Sequence, residues 1–256
     1  MNPLFCSDRN LKKPSFDGIN IRLREHTVLY FNLSTARSVL CIGAHPDDIE
    51  IGCGGTILGL LANNPSLRLD WVVMGCSPER KAEALGAFQA WCQGHENCFV
   101  HIFEFADTLF PSQIAEIKRS MHSLAETILP DIIFTHRRED LHQDHRTLSE
   151  VTWNTFRKHL ILEYEIPKYE GDLGNPNVFF PLTTELAQQK IDLLMRHFPS
   201  QLEKPWFERE TFEAIMRIRG IESKAASGLA EAFHGRKIWL GLPSMDEYAE
   251  GPVDLF

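Results

Sequence analysis

The sequence predicts an α/β fold: a doubly wound, mostly parallel sheet with helices on both faces. Short, apolar, β-prone runs alternate with longer runs of helical periodicity along most of the chain. No segment repeats at the period of about 20–50 residues that marks solenoids and propellers. Two of the strand-like runs end in loops rich in His and Asp, and ligands bind at strand carboxyl ends in open α/β sheets.

The elements follow in order. Ser38-Val39-Leu40-Cys41-Ile42 reads as a buried strand, and Pro46 ends it because proline has no N–H to give a ladder. Gly52-Cys53-Gly54-Gly55-Thr56 then leads into Ile57-Leu58-Gly59-Leu60-Leu61, a helix start. Leu67 to Gly75 is the second strand. Ser77-Pro78-Glu79-Arg80 opens a helix to about Trp91, with Ala82, Leu85, Phe88 and Ala90 or Trp91 on its apolar face. Phe99 to Phe103 is the third strand, and Ile114, Ile117, Met121, Leu124 and Ile128 recur at helical spacing. Asp131 to His136 is the next strand, followed by a loop from Arg137 to Arg146, a helix from Thr147 to His159 and a strand from Leu160 to Pro167. Lys168 to Pro181 reads as a long loop in which Tyr169, Asp172 and Asn175 either shape substrate choice or serve as turn residues. Phe179 to Leu182 is strand-like. Thr184 caps a helix to about Phe198, and Trp206 to Arg219 forms another. Ala225 to Phe233 extends the helical structure, with Glu231 and His234 as pocket candidates. Lys237 to Leu240 reads as an edge strand. Thr27 to Phe31 also looks like a strand, at a sheet edge or on a neighbouring subunit.

At 256 residues the chain suits a single domain (1–256), with 1–37 as an N-terminal extension and 244–256 as a loose tail. The net charge of −9 argues against nucleic-acid and anionic-membrane binding, which need a basic face. No run approaches the roughly 18 apolar residues of a membrane span. Met1 to Phe5 lacks the pattern of a signal peptide. Of the six cysteines, Cys41 and Cys76 lie in apolar runs as buried thiols, and no C-x-x-C pair exists. A reducing cytoplasm is the expected home.

The chemistry concentrates in Ala44-His45-Pro46-Asp47-Asp48 and in His142-Gln143-Asp144-His145. Imidazole and carboxylate both bind Zn²⁺ or Fe²⁺. His45 and Asp48 are spaced to fold over one turn onto one ion. Asp47 and Asp48 cannot both point the same way, so one can bind the ion while the other faces the water to be activated. The bland alternative is a polar turn before a helix, with an Asp as N-cap. His145 can complete a set of two His and one carboxylate with open positions, the composition of catalytic sites. His142 is free to face substrate, and Asp144 can hydrogen-bond an imidazole. Arg80, on the same rim, either holds a substrate hydroxyl or phosphate or is a solvated first-turn residue. His101 and His122 lie in no carboxylate-bearing loop and read as packed or surface residues.

These two motifs, with the Gly-rich helix start and Arg146, resemble the LmbE/PIG-L-like family of zinc-dependent N-deacetylases. Gly220-Ile221-Glu222 and Ala230-Glu231-Ala232-Phe233 resemble its weaker C-terminal pattern, so the likeness runs from Ser38 to Phe233. The resemblance implies an LmbE-like (Rossmann-like) fold and a Zn²⁺ cofactor, with Fe²⁺ or another divalent ion as alternatives. It implies His45, Asp48 and His145 as metal ligands and Asp47 as general base. His142 becomes the general acid or oxyanion stabiliser, with Asp144 behind it. The implied substrate is an N-acetylated amino sugar or sugar conjugate, and homo-oligomers are expected. One departure is visible: Ile49 stands where the family usually has an acidic residue, and Glu50 follows it. The rival readings are a metal-dependent phosphoesterase, a hydrolase of another amide such as a thiol-sugar conjugate, and a non-catalytic metal-binding module.

Overall fold

The computed structural model describes residues 31–238. Contacts divide the chain into two units, Met1–Thr35 and Ala36–Phe256. In the first unit the described residues contain one 3₁₀ turn, Leu33–Thr35. Thr27 to Tyr30 of the strand expected over Thr27–Phe31, and the tail 244–256, lie outside the described residues, and Phe31 is in no strand. Trp239 and Leu240 of the expected edge strand also lie outside them, and the described part of that run, Lys237 and Ile238, is in no strand.

The second unit is built on a sheet of seven strands. β1 (Ser38–Gly43), β2 (Arg68–Val73), β3 (Cys98–Ile102), β4 (Ile132–His136) and β5 (Leu160–Tyr164) are all parallel, in the order β3-β2-β1-β4-β5. β1 is buried from Val39 onward and β4 throughout, because helices cover both sides. Leu40 and Ile42 face a core shared with Val72, Ile133, Ile117, Met121, Leu148 and Val151. The helices on that side are α3 (Ile114–Ala125) and α4 (Gln143–Thr155). α1 (Asp48–Asn63), α2 (Lys81–Trp91) and α5 (Thr184–His197) pack together, and α6 (Arg209–Glu222) packs on α5. This is the doubly wound arrangement expected. The crossovers reverse between β1 and β4, which opens a crevice at their carboxyl ends.

Several local expectations are corrected. Ala225–Phe233 is not helical: β7 (Ala230–Gly235) is a strand, antiparallel to β5 and to β6 (Val178–Pro181), and fills the space between them. Its residues are buried from Ala230 to Phe233, and pairing with two neighbours outweighs the helix preference of Ala and Glu. α4 begins at Gln143, inside the expected loop, because the His142 Nδ1 accepts the Asp144 N–H as an N-cap. Thr183 rather than Thr184 caps α5 by accepting the Leu186 N–H. α2 buries Ala84, Ala87 and Trp91, so of the expected face through Ala82, Leu85, Phe88 and Ala90 or Trp91 only Trp91 is buried, and its indole donates to Gly54 O.

The Gly-rich stretch is also resolved into its parts. α1 runs from Asp48, but Cys53 has non-helical angles (φ −142°, ψ 15°) and splits it. The buried Lys190 ammonium donates to Ile51 O on one side of the break, 2.6 Å away. On the other side Glu231 accepts from Gly55 N–H, Thr56 N–H and the Thr56 hydroxyl at 2.6–2.8 Å. Lys190 and Glu231 are themselves 2.6 Å apart. An ion pair from α5 and β7 thus satisfies the orphan groups of both half-helices. Glu231 is thereby engaged in bridging the two half-helices.

Candidate metal and active site

β1 ends at Gly43, and the turn that follows carries His45 to Asp48. Asp47 has φ 98°, a left-handed backbone that costs a non-glycine residue energy. The effect is to aim the two adjacent carboxylates differently. Asp48 turns back to the histidines: its Oδ2 accepts the His45 N–H at 2.7 Å and lies 3.2 Å from His136 Nε2, while Oδ1 lies 3.5 Å from His145 Nε2. Asp47 turns to Arg80, whose Nη2 donates to it at 3.1 Å and to Pro46 O at 2.7 Å. Arg80 also meets Glu83 at 3.3 Å, so its guanidinium is partly occupied within the protein.

The second loop follows β4. His145, in the first turn of α4, stacks on His136 with ring centroids 3.9 Å apart. His142 sits over both motif histidines, 5.2 Å from the His45 ring and 4.5 Å from that of His145. The Asp144 carboxylate does not stand behind His142. It accepts the N–H groups of Thr108 (2.6 Å) and Phe110 (3.1 Å) and lies 3.2 Å from His45 Nε2. Its place in the first turn of α4 sends its side chain toward the loop after β3, and only its backbone N–H meets His142.

His45, Asp48 and His145 offer donor atoms that lie within 4.8 Å of one another. Two further groups overlap them: His136, Asp140 and His145, and His45, Asp107 and Asp144. In the second, the Lys168 ammonium already binds Asp140 at 3.0 Å. In the third, two backbone N–H groups already fill Asp144, and Asp107 is exposed. The first group has the most open donors, and the chemistry of the site fits a divalent ion there. Asp140 Oδ2 lies 3.0 Å from His145 Nδ1, which places the ring proton on Nδ1 and leaves the Nε2 lone pair toward Asp48. Burial, with His136 beside it, pulls the His145 pKa down to about 4, so the ring is neutral, the form that binds metal. Burial opposes protonation of His45, yet Asp107, Asp144 and Asp48 together lift its pKa well above the usual value. A locus that so favours positive charge on an imidazole suits a cation.

Two residues here escaped the sequence reading. Asp140 orients His145 and also accepts Lys168 and the His142 N–H (2.8 Å). His136 is wholly buried, and its Nε2 lies 2.9 Å from Ala44 N, tying the two loops together. A His at the last position of a strand whose carboxyl end faces the crevice was the available signal. His101 pairs with Asp70 at 3.0 Å and His122 is exposed, so neither joins the site.

Residues 40–156 match the family model described as PIG-L, GlcNAc-PI de-N-acetylase. Over this segment the chain is similar to the PIG-L (LmbE-like) family. The chain is also similar to an uncharacterised deacetylase, YaiS, of Escherichia coli K12: 27% identical over 183 residues, covering 67% of this chain and 96% of YaiS. Among solved structures it resembles N,N'-diacetylchitobiose deacetylase from Pyrococcus horikoshii, with TM-score 0.61, 20% identity, and coverage of 80% of this chain and 85% of that one. It also resembles GalB, the 4-carboxy-2-hydroxymuconate hydratase of Pseudomonas putida KT2440, with TM-score 0.57, 15% identity, and coverage of 80% and 99%. At these identities the structures show a common fold, and that fold carries more than one reaction. No helix among the described residues is long and apolar enough to cross a membrane.

Proposed function

We propose that this chain is a metal-dependent N-deacetylase acting on an N-acetylated amino sugar or sugar conjugate. The observation that carries the reading is the left-handed turn at Asp47, which splits two neighbouring carboxylates into separate tasks. His45, Asp48 and His145 would hold the ion, most simply Zn²⁺. When bound, such an ion polarises an amide carbonyl and lowers the pKa of a water.

The chain's own residues do the rest. Asp47 takes the proton of the attacking water. Burial pushes its carboxyl up to about 6 against the pull of Arg80, near enough to neutrality for a general base that is still mostly ionised. Arg80 fixes the carboxylate's orientation by donating to it from Nη2. His142 receives the Asp144 N–H on Nδ1, so its own proton sits on Nε2. From there it donates a hydrogen bond to the oxyanion, and Asp47 returns the proton it took from the water to the departing amine. Burial and the neighbouring His45 lower its pKa, so the ring is a neutral donor at neutral pH. A donor of this kind contributes about 3 kcal/mol of transition-state stabilisation.

The test is acetate release from a panel of N-acetylated amino sugars, nucleotide sugars and sugar conjugates, with added Zn²⁺, with chelator, and with Asp47→Ala. Release that needs both metal and Asp47 supports the reading, and the variant should keep its bound metal. Release by Asp47→Ala at the wild-type rate would refute its role as base. No release from any substrate by metal-loaded protein would favour another amide or a phosphoester.

A further inference from the structure

A chain of polar groups reaches the general base from outside the two motif loops. The Asp47 carboxylate receives one side-chain hydrogen bond, from Arg80 Nη2 to Oδ2 at 3.1 Å, and among the described residues none reaches Oδ1. Its orientation therefore follows the guanidinium. An arginine held at one atom keeps much of its side-chain freedom, but Arg80 is held at two. Nη2 donates to Pro46 O at 2.7 Å as well as to Asp47, and Nε donates to Glu83 Oε2 at 3.3 Å. Because the guanidinium is planar and rigid, bonds from two of its nitrogens fix its plane as well as its place.

Glu83 is fixed in turn from beyond its own helix. Its Oε1 accepts the Ser200 N–H at 2.8 Å, and its Oε2 accepts the Ser200 hydroxyl at 2.7 Å. That hydroxyl accepts from the side-chain amide of the buried Gln201 at 2.8 Å. Ser200 and Gln201 belong to the 3₁₀ turn Pro199–Gln201 that follows α5. An Arg–Glu pair at this spacing on a solvated helix face contributes little. Here the two side chains are only 21% and 11% exposed, and a second element engages both Glu83 oxygens. Tying α2 to the turn after α5 needs the Ser200 contacts alone. The added contact to Arg80 continues the chain to Asp47.

We propose that Glu83, anchored by Ser200, is a positioning residue for the reaction: it holds the Arg80 guanidinium so that Asp47 presents Oδ1 to the attacking water. This rests on the deacetylase reading and deepens it, giving a share in kcat to a side chain that touches neither ion nor substrate.

The experiment pairs kinetics with a readout that needs no substrate. Acetate release from N-acetylglucosamine is measured with the Zn²⁺-loaded full chain as wild type, Glu83→Gln, Ser200→Ala, Arg80→Ala and Arg80→Ala/Glu83→Gln. Glu83→Gln should lower kcat about tenfold while KM stays within about twofold, and Ser200→Ala should lower kcat by a smaller factor. Because Glu83 acts through Arg80, Glu83→Gln should change nothing further in the Arg80→Ala background. Unaltered kcat in Glu83→Gln or Ser200→Ala, a rise in KM alone, or losses that multiply in the double variant each overturn the proposal. The second readout is the NMR signal of the Arg80 Nε–H, identified by its disappearance in Arg80→Ala. It should be sharp and slow to exchange in the wild type, and should broaden or merge with those of exposed arginines in Glu83→Gln. An identical signal in both proteins overturns the proposal. If the wild type releases no acetate while this signal behaves as expected, the failure lies with the deacetylase reading on this substrate, and the hold of Glu83 on Arg80 stands.

Discussion

Replacing Glu231 by Ala should destabilise the fold strongly and loosen the metal site, although residue 231 lies on a strand far along the chain from His45. Glu231 and Lys190 are only 4% and 2% exposed. Removing the carboxylate leaves the Lys190 ammonium buried without its counter-ion, and breaking a buried pair in this way costs about 3–5 kcal/mol. It also strips the partner from the Gly55 and Thr56 N–H groups. The Lys190→Met/Glu231→Met double variant removes the stranded charge but still leaves those two N–H groups and Ile51 O unpaired. It should therefore lose about 3 kcal/mol, at roughly 1 kcal/mol for each backbone group. The two single losses would then exceed the double loss when summed. Urea unfolding of the wild type, Lys190→Met, Glu231→Met and the double variant measures this directly. Because Asp48 lies in the half-helix before the break, Glu231→Ala should also retain less Zn²⁺ after dialysis. A loss below about 1 kcal/mol for Glu231→Ala, or strictly additive singles, would refute the view that this pair bridges the broken helix.

Three further outcomes follow from the geometry. Asp140→Asn should weaken metal binding about 10–100-fold in a chelator competition, since it disturbs the proton that orients His145. Gly52→Ala should lower the unfolding midpoint, at a cost of about 1–3 kcal/mol from overpacking, because an added Cβ would meet the buried Tyr164 ring at 2.3 Å. Burial pushes the Asp70 carboxyl up, but hydrogen bonds from His101 and Arg68 outweigh it and hold its pKa below the usual range. Its folded value thus lies below its unfolded one, so its stabilisation is complete above about pH 3.9 and is lost as pH falls through the folded value. Acid unfolding should accordingly be steeper below pH 4 for the wild type than for Asp70→Asn.

The sequence alone determined the alternation of elements and the two motif loops. Those follow from local quantities: hydrophobic period, proline and glycine positions, and side-chain chemistry at a strand's end. Leu40 and Ile42 on one face of β1, with Val39 and Cys41 on the other, made a strand buried on both sides legible without any partner in view. The same local reading failed at Ala225–Phe233, where Ala and Glu favour a helix and only the flanking edges of β5 and β6 make a strand. It placed Thr147 at the start of a helix that a histidine cap starts at Gln143.

Only the tertiary structure decided which carboxylate serves which imidazole. Asp144 stands beside His142 in sequence and would be its natural partner there, yet a helical first turn sends its side chain to the loop after β3. Asp140, five positions before His145, reaches that ring because the intervening chain turns into α4. His136 enters the site through the reversal of crossovers between β1 and β4, which brings Ala44 and His136 together across 92 positions of chain. Glu231 and Lys190 meet at the break in α1 for the same reason. Sequence spacing reports what one turn of chain can hold; the pairing of distant charges is set by sheet order and by the need to satisfy every buried polar group.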